Sequence, residues 1–164
     1  RTVPLRNTGS TISPFNAFLI LQGLETLALR MERHCSNALA VANYLNEHEA
    51  VATVSFAGLP DSPYYDLAQK YTNGSPASLL TFEVNGGYEA AVKFYDQLGL
   101  FKRLVNIGDA KSLACHPSST THRQMTPEEQ ASAGVTAGMI RLCVGIEHLD
   151  DIIADLDQAL KAAQ

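Results

Sequence analysis

Leu79-Leu80-Thr81-Phe82-Glu83-Val84 is a β-prone run closed at once by Asn85-Gly86-Gly87, and Ala91, Val92, Tyr95 and Leu98 follow it at helical spacing. A chain that changes period from two to 3.6 across so short a turn folds as a layer of strands packed against helices. The rest of the pattern has to fit that frame. Val51 to Phe56 alternates weakly before the turn residues Gly58, Pro60 and Pro63, which predicts a short strand running into a loop, and Asp66 to Tyr71 reads as one or two helical turns. Arg103 to Ile107 is expected as another strand, followed by a further short one, and Met139 to Val144 as the last.

Helix signals stand on both sides of these runs. Ser13-Pro14 is a helix start, because the hydroxyl accepts an early N–H and proline fits the first helical position. Phe15, Phe18, Leu19 and Leu21 give an apolar face. Gly23 is a point of interruption, and from Glu25 the positions Leu27, Met31, Leu39, Ala42 and Leu45 continue to Tyr44–Asn46. Thr126-Pro127-Glu128-Glu129 opens a capped helix that runs to Ala133 and stops at Gly134. Leu149 to Lys161 is amphipathic, with Asp150 and Asp151 in its first turn and Lys161 in its last, as the macrodipole favours. The expected fold is an α+β or open α/β sandwich with a mostly antiparallel sheet and helices packed on one face.

Composition narrows the function classes. With 164 residues, 46% hydrophobic and 18% charged, the chain is long enough for one domain with a real core. A net charge of -5 with 12 dispersed Lys and Arg argues against a nucleic-acid surface. No apolar run reaches a membrane span, and Arg1 to Arg6 lack the core of a secretion signal, so a soluble, cytoplasmic protein is expected. Cys35, Cys115 and Cys143 are odd in number and widely spaced, which fits free thiols rather than a disulfide framework or a zinc knuckle. The opening on Arg1, without Met and into loop-like residues, reads as cut from something longer.

Two stretches carry the candidate chemistry. Met139-Ile140-Arg141-Leu142-Cys143-Val144 sets one arginine in an otherwise apolar strand, where a permanently charged fork of donors suits a carboxylate. An edge-strand arginine that reaches solvent or pairs with Glu147 accounts for the same pattern. Ser112 to His122 is the second stretch. His116 and His122 have no HExxH or paired CxxC beside them, and His116-Pro117 reads as a turn in which the imidazole bonds a nearby carbonyl. The serines lack a GxSxG elbow, and Asn73-Gly74-Ser75 lacks phosphate-loop spacing; neither a serine hydrolase nor a metal site is expected.

Gly9-Ser10-Thr11-Ile12-Ser13-Pro14-Phe15-Asn16-Ala17-Phe18, Gly23 to Leu27 and Arg30-Met31-Glu32-Arg33-His34 resemble the linking segment of the pyridoxal-phosphate enzymes of cysteine and methionine metabolism. The likeness continues in the same order through Asn106 to Leu113, His116-Pro117, Thr120-Thr121-His122 and Ile140 to His148. Asn106-Ile107-Gly108-Asp109 stands where cystathionine γ-synthases and methionine γ-lyases read Ser-Leu-Gly-Gly, which points to the O-acetylhomoserine sulfhydrylase branch.

The resemblance implies the C-terminal small domain of a fold-type I transferase, with residues 1–46 as a linking helical segment and 47–164 as the substrate-binding domain. It implies that Arg141 binds the substrate α-carboxylate, that Ser112 and Leu113 belong to the same pocket, and that Thr121 and His122 support it. The implied reaction is γ-replacement on an amino-acid ester: pyridoxal 5'-phosphate serves as electron sink while acetate leaves O-acetylhomoserine and sulfide or a thiol takes its place. A homotetramer is implied for the intact enzyme. No catalytic residue is expected in this chain, because Lys70, Lys93, Lys102, Lys111 and Lys161 match none of the family's lysine motif. A stand-alone binding or assembly module, docking through its long N-terminal helix, is the alternative of another class.

Overall fold

Five strands form one sheet in the order β1-β2-β5-β4-β3, seen in a computed structural model that describes residues 3–164. They are β1 (Val51–Ser55), β2 (Leu79–Val84), β3 (Lys102–Arg103), β4 (Leu113–Cys115) and β5 (Met139–Cys143). Only β3 and β4 run parallel; the other three pairings are antiparallel. The mostly antiparallel sheet is therefore present, and β5 lies at its centre.

The helices are α1 (Pro4–Thr8), α2 (Pro14–Glu25), α3 (Leu27–Asn46), α4 (Tyr65–Thr72), α5 (Gly87–Gln97), α6 (Pro127–Ser132) and α7 (Leu149–Ala163). The chain divides into two compact units, one ending at Arg30 and the other comprising Met31–Gln164. In the first unit, Ser13 caps α2 by accepting the Asn16 N–H at 3.2 Å, with Pro14 as the first helical residue. Gly23 does not interrupt this helix. The break falls at Thr26, and the Gly23 carbonyl accepts a hydrogen bond from the Arg30 guanidinium. Pro4–Thr8 is a helical turn rather than the expected loop, with the Thr8 hydroxyl bonded to the Pro4 carbonyl.

In the second unit the strand period decides which face is which. Leu80, Phe82 and Val84 of β2 and Ile140 and Leu142 of β5 are buried in one core with Ala38, Val41, Ala42 and Leu45 of α3, Ala91 and Phe94 of α5, and Ile152, Leu156 and Leu160 of α7. Phe82 meets Phe94 edge to face at 5.4 Å. The Gly86-Gly87 turn, with φ of 99° and 70°, makes the reversal from β2 into α5 that a side chain would resist. Leu79, Thr81 and Glu83 of β2 and Met139, Arg141 and Cys143 of β5 alternate with these and project from the opposite face. Arg103 to Ile107 forms less strand than expected: pairing stops at Arg103, since β4 offers it only Leu113 and Ala114 as partners.

Candidate functional site

Arg141 is on the face away from this core. Its neighbours across the ladder are Thr81 on β2 and Cys115 on β4, while Leu113 pairs with Cys143 two residues along the same face. The edge-strand reading is thereby corrected, because β5 has a partner on each side. Pairing with Glu147 is corrected too, since that carboxylate is turned to Ser112. Arg141 is half-buried, and its guanidinium makes no hydrogen bond or ion pair with another described residue. A guanidinium partly withdrawn from water and without an anion has unused donors in a fixed fork.

The walls beside it are held firmly. Cys115 is buried and its thiol lies 3.2 Å from Thr120 Oγ1, which itself donates to the His116 carbonyl at 2.7 Å. Cys143 lies 3.3 Å from Ser78 Oγ. His116 is fully buried, with Nε2 2.9 Å from the Ala137 carbonyl and Nδ1 2.8 Å from Ser119 Oγ. A carbonyl only accepts, so Nε2 is the donor in its bond to Ala137. The imidazole is the turn-holder that the sequence suggests, at the start of a 3-10 turn over Pro117–Ser119 that packs against β5.

Ser112 stands immediately before β4 and is fully buried. Its N–H donates to Glu147 Oε1 at 2.7 Å, its hydroxyl donates to Oε2 at 2.9 Å, and the same hydroxyl oxygen accepts the Gly145 N–H at 2.8 Å. The hydroxyl's only proton is committed within the protein. Thr121 and His122 lie beyond the 3-10 turn, bonded to each other at 2.9 Å, with Thr121 exposed, His122 half-buried and the His122 carbonyl held by Gln130. The structure thus sets Arg141 and Leu113 on one face and Ser112 at its border. Thr121 and His122 follow the turn that leaves β4.

Thr81 and Cys115, the residues flanking Arg141, carry no local signal in the sequence, because strand pairing alone makes them neighbours. Glu147 and Gly145 are quoted in the motif, yet their link to Ser112 spans more than thirty residues.

Residues 2–161 match the family model described as Cys/Met metabolism PLP-dependent enzyme. The chain belongs to this family. It is 55% identical over 162 residues to an O-acetyl-L-homoserine sulfhydrylase of Leptospira meyeri, covering 98% of this chain and 37% of that protein. An L-methionine gamma-lyase of Pseudomonas deceptionensis is 46% identical over 94% of this chain and 39% of its own length. A crystal structure of a putative O-acetylhomoserine (thiol)-lyase from Campylobacter jejuni superposes with a TM-score of 0.86 at 46% identity, covering 97% of this chain and 38% of that one. That structure contains a pyridoxyl-lysine phosphate. The chain therefore spans somewhat over a third of the length of the Cys/Met-metabolism enzymes it matches.

Members of the family depend on pyridoxal phosphate, and the described residues do not form a site for it. All five lysines of the chain are exposed. A cavity of about 220 Å³ is lined by Glu32, Cys35, Ser36, Leu39, Gly74, Ser75 and Pro76, an acid and a thiol with no cation to meet a phosphate. Burial pushes the Cys35 thiol up from its ordinary value, which disfavours the thiolate.

Proposed function

We propose that this chain supplies the substrate-carboxylate site of a pyridoxal-phosphate-dependent O-acetylhomoserine sulfhydrylase, which makes homocysteine and acetate from O-acetylhomoserine and sulfide. The observation that carries the reading is Arg141, an ion without a partner on the central strand of a chain belonging to this family. Its fork grips the α-carboxylate; Ser112 and Leu113 form the adjoining wall; Thr121 and His122 support the loop beside it. Because the Ser112 hydroxyl is already engaged, that residue contributes shape rather than a free donor. The contribution of this chain is orientation: it fixes the amino acid so that its reacting carbons meet chemistry supplied by the rest of the enzyme.

The higher identity to the sulfhydrylase, 55% against 46% for the γ-lyase, favours replacement over elimination. On the same reading residues 1–46 link and 47–164 bind substrate, within a cytoplasmic homotetramer. Among the described residues, no helix is long and apolar enough to cross a membrane.

Kinetics of Arg141→Ala in the full-length enzyme test the clamp. Losing a charge-assisted pair of bonds raises KM for O-acetylhomoserine by about 10- to 100-fold, with KM for sulfide unchanged. An unaltered amino-acid KM removes Arg141 from the site.

A further inference from the structure

The segment that follows β5 is held by a set of buried and part-buried polar contacts. From α3, His34 Nδ1 donates to the Val144 carbonyl at 2.7 Å, and Asn37 Nδ2 donates to the carbonyls of Gly145 at 3.1 Å and Glu147 at 3.0 Å. From the other side, the Ile146 N–H reaches the Ala110 carbonyl at 3.0 Å. Between them the Glu147 carboxylate accepts both donors of Ser112. No cation pairs with Glu147 among the described residues, so the serine's N–H and hydroxyl are what satisfy it. Gly145 passes so close that a Cβ there would lie 2.5 Å from Ser112 N and 2.6 Å from the Ala110 carbonyl oxygen.

This cluster sits beside a short stretch of the ladder. β4 is three residues long, and its pairing with β5 consists of Leu113 with Cys143, Ala114 with Leu142 and Cys115 with Arg141. Few pairs fix the register of so short a strand, and a slip of one residue would turn Leu113 and Cys115 off the Arg141 face and Ala114 out of the core. Bonds to Ser112, the residue immediately before β4, add to the ladder in fixing that register. We propose that Glu147 is a positioning residue for the Arg141 site: by holding both the N–H and the hydroxyl of Ser112, it locks the register of β4 and fixes the wall against which the substrate carboxylate is held. This rests on the reading of Arg141 as the carboxylate clamp.

Glu147→Gln isolates the effect. The amide still accepts the Ser112 N–H, but its other arm is a donor, so the hydroxyl loses the acceptor for its proton while side-chain volume is kept. In the full-length enzyme this variant raises KM for O-acetylhomoserine by about fivefold, leaves KM for sulfide unchanged and keeps kcat within about twofold. In an Arg141→Ala background the same change adds less than about twofold, because the feature it positions is gone. If Arg141→Ala alone leaves the amino-acid KM unmoved, the clamp reading fails whatever Glu147→Gln does. If Arg141→Ala acts but the two effects multiply in full, or Glu147→Gln lowers only the thermal midpoint, the positioning proposal is overturned. Should Glu147→Gln not accumulate as folded enzyme, Asn37→Ser loosens the same segment from α3 and raises the amino-acid KM by about threefold; an unchanged KM there also overturns it.

Discussion

A glycine that has no room for a methyl group is the sharpest residue-scale constraint near the site. At Gly145 the nearest obstacles to a Cβ include the Ser112 nitrogen and the Ala110 carbonyl oxygen, which are backbone and yield only if a strand end moves. Gly145→Ala therefore destabilises the fold by about 1–3 kcal/mol, read as a lower urea midpoint with unchanged slope. A midpoint equal to the parent's shows that the segment yields freely. Ser112→Ala acts differently. It leaves the Gly145 N–H and one Glu147 oxygen without their partner, and costs about 1–3 kcal/mol of stability through unmet desolvation rather than crowding. Arg141 is legible at this scale because an arginine between Ile140 and Leu142 is anomalous within its own strand. The partner of Glu147 is not, since nothing within a few residues of it names Ser112.

Elements that carry their own punctuation are read correctly. Thr126 and Glu129 complete a reciprocal capping box at the start of α6, and α7 begins and ends with the charges its dipole favours. Elements that depend on a distant partner are not: the expected strand at Arg103 to Ile107 shrinks to two residues because β4 gives it little to pair with. The break between α2 and α3 moves from Gly23 to Thr26, as a glycine tolerated inside a helix is no stop by itself. Between α3 and α7 the Tyr44 hydroxyl donates to Asp157 Oδ1 at 3.0 Å, and Lys161 bonds Oδ2 at 2.6 Å. Burial, then the bond to Asp157, pushes the Tyr44 pKa up from 10.0 to about 12. A raised phenol contributes stability that is full below pH 10.0 and is lost as pH climbs toward about 12. Asp157 is held below its ordinary 3.8, first by Lys161 and then by Tyr44, so its contribution is present above pH 3.8 and fades as acid protonates it. Thermal midpoints measured across pH should show Tyr44→Phe flattening the alkaline fall and Asp157→Asn flattening both ends. Parallel curves for parent and variants count against this link.

For the molecule as a whole, the order of the motifs says more than any one of them. Family and sheet type follow from sequence because turn signals, helix caps and strand periods all agree on one layered arrangement. What the chain does alone is decided by what its residues do not offer. The family's chemistry needs an amine to carry the cofactor and an anion cradle for its phosphate, yet every lysine here is exposed and the described cavity presents Glu32 and Cys35. Two of those amines are already engaged, Lys161 with Asp157 and Lys111 with Asp109 at 4.0 Å. As the proposed carboxylate clamp, Arg141 would contribute orientation, and orientation accelerates nothing until the reacting centre is present. The 164-residue chain incubated with pyridoxal phosphate, O-acetylhomoserine and sulfide is therefore expected to form homocysteine no faster than the free cofactor does. On the proposed function the full-length protein under the same conditions is expected to turn over, and to lose amino-acid affinity on Arg141→Ala. Turnover by the chain above the free-cofactor control, abolished by replacing one of its lysines, would place the chemical centre within these residues and reverse the division of labour proposed for Arg141.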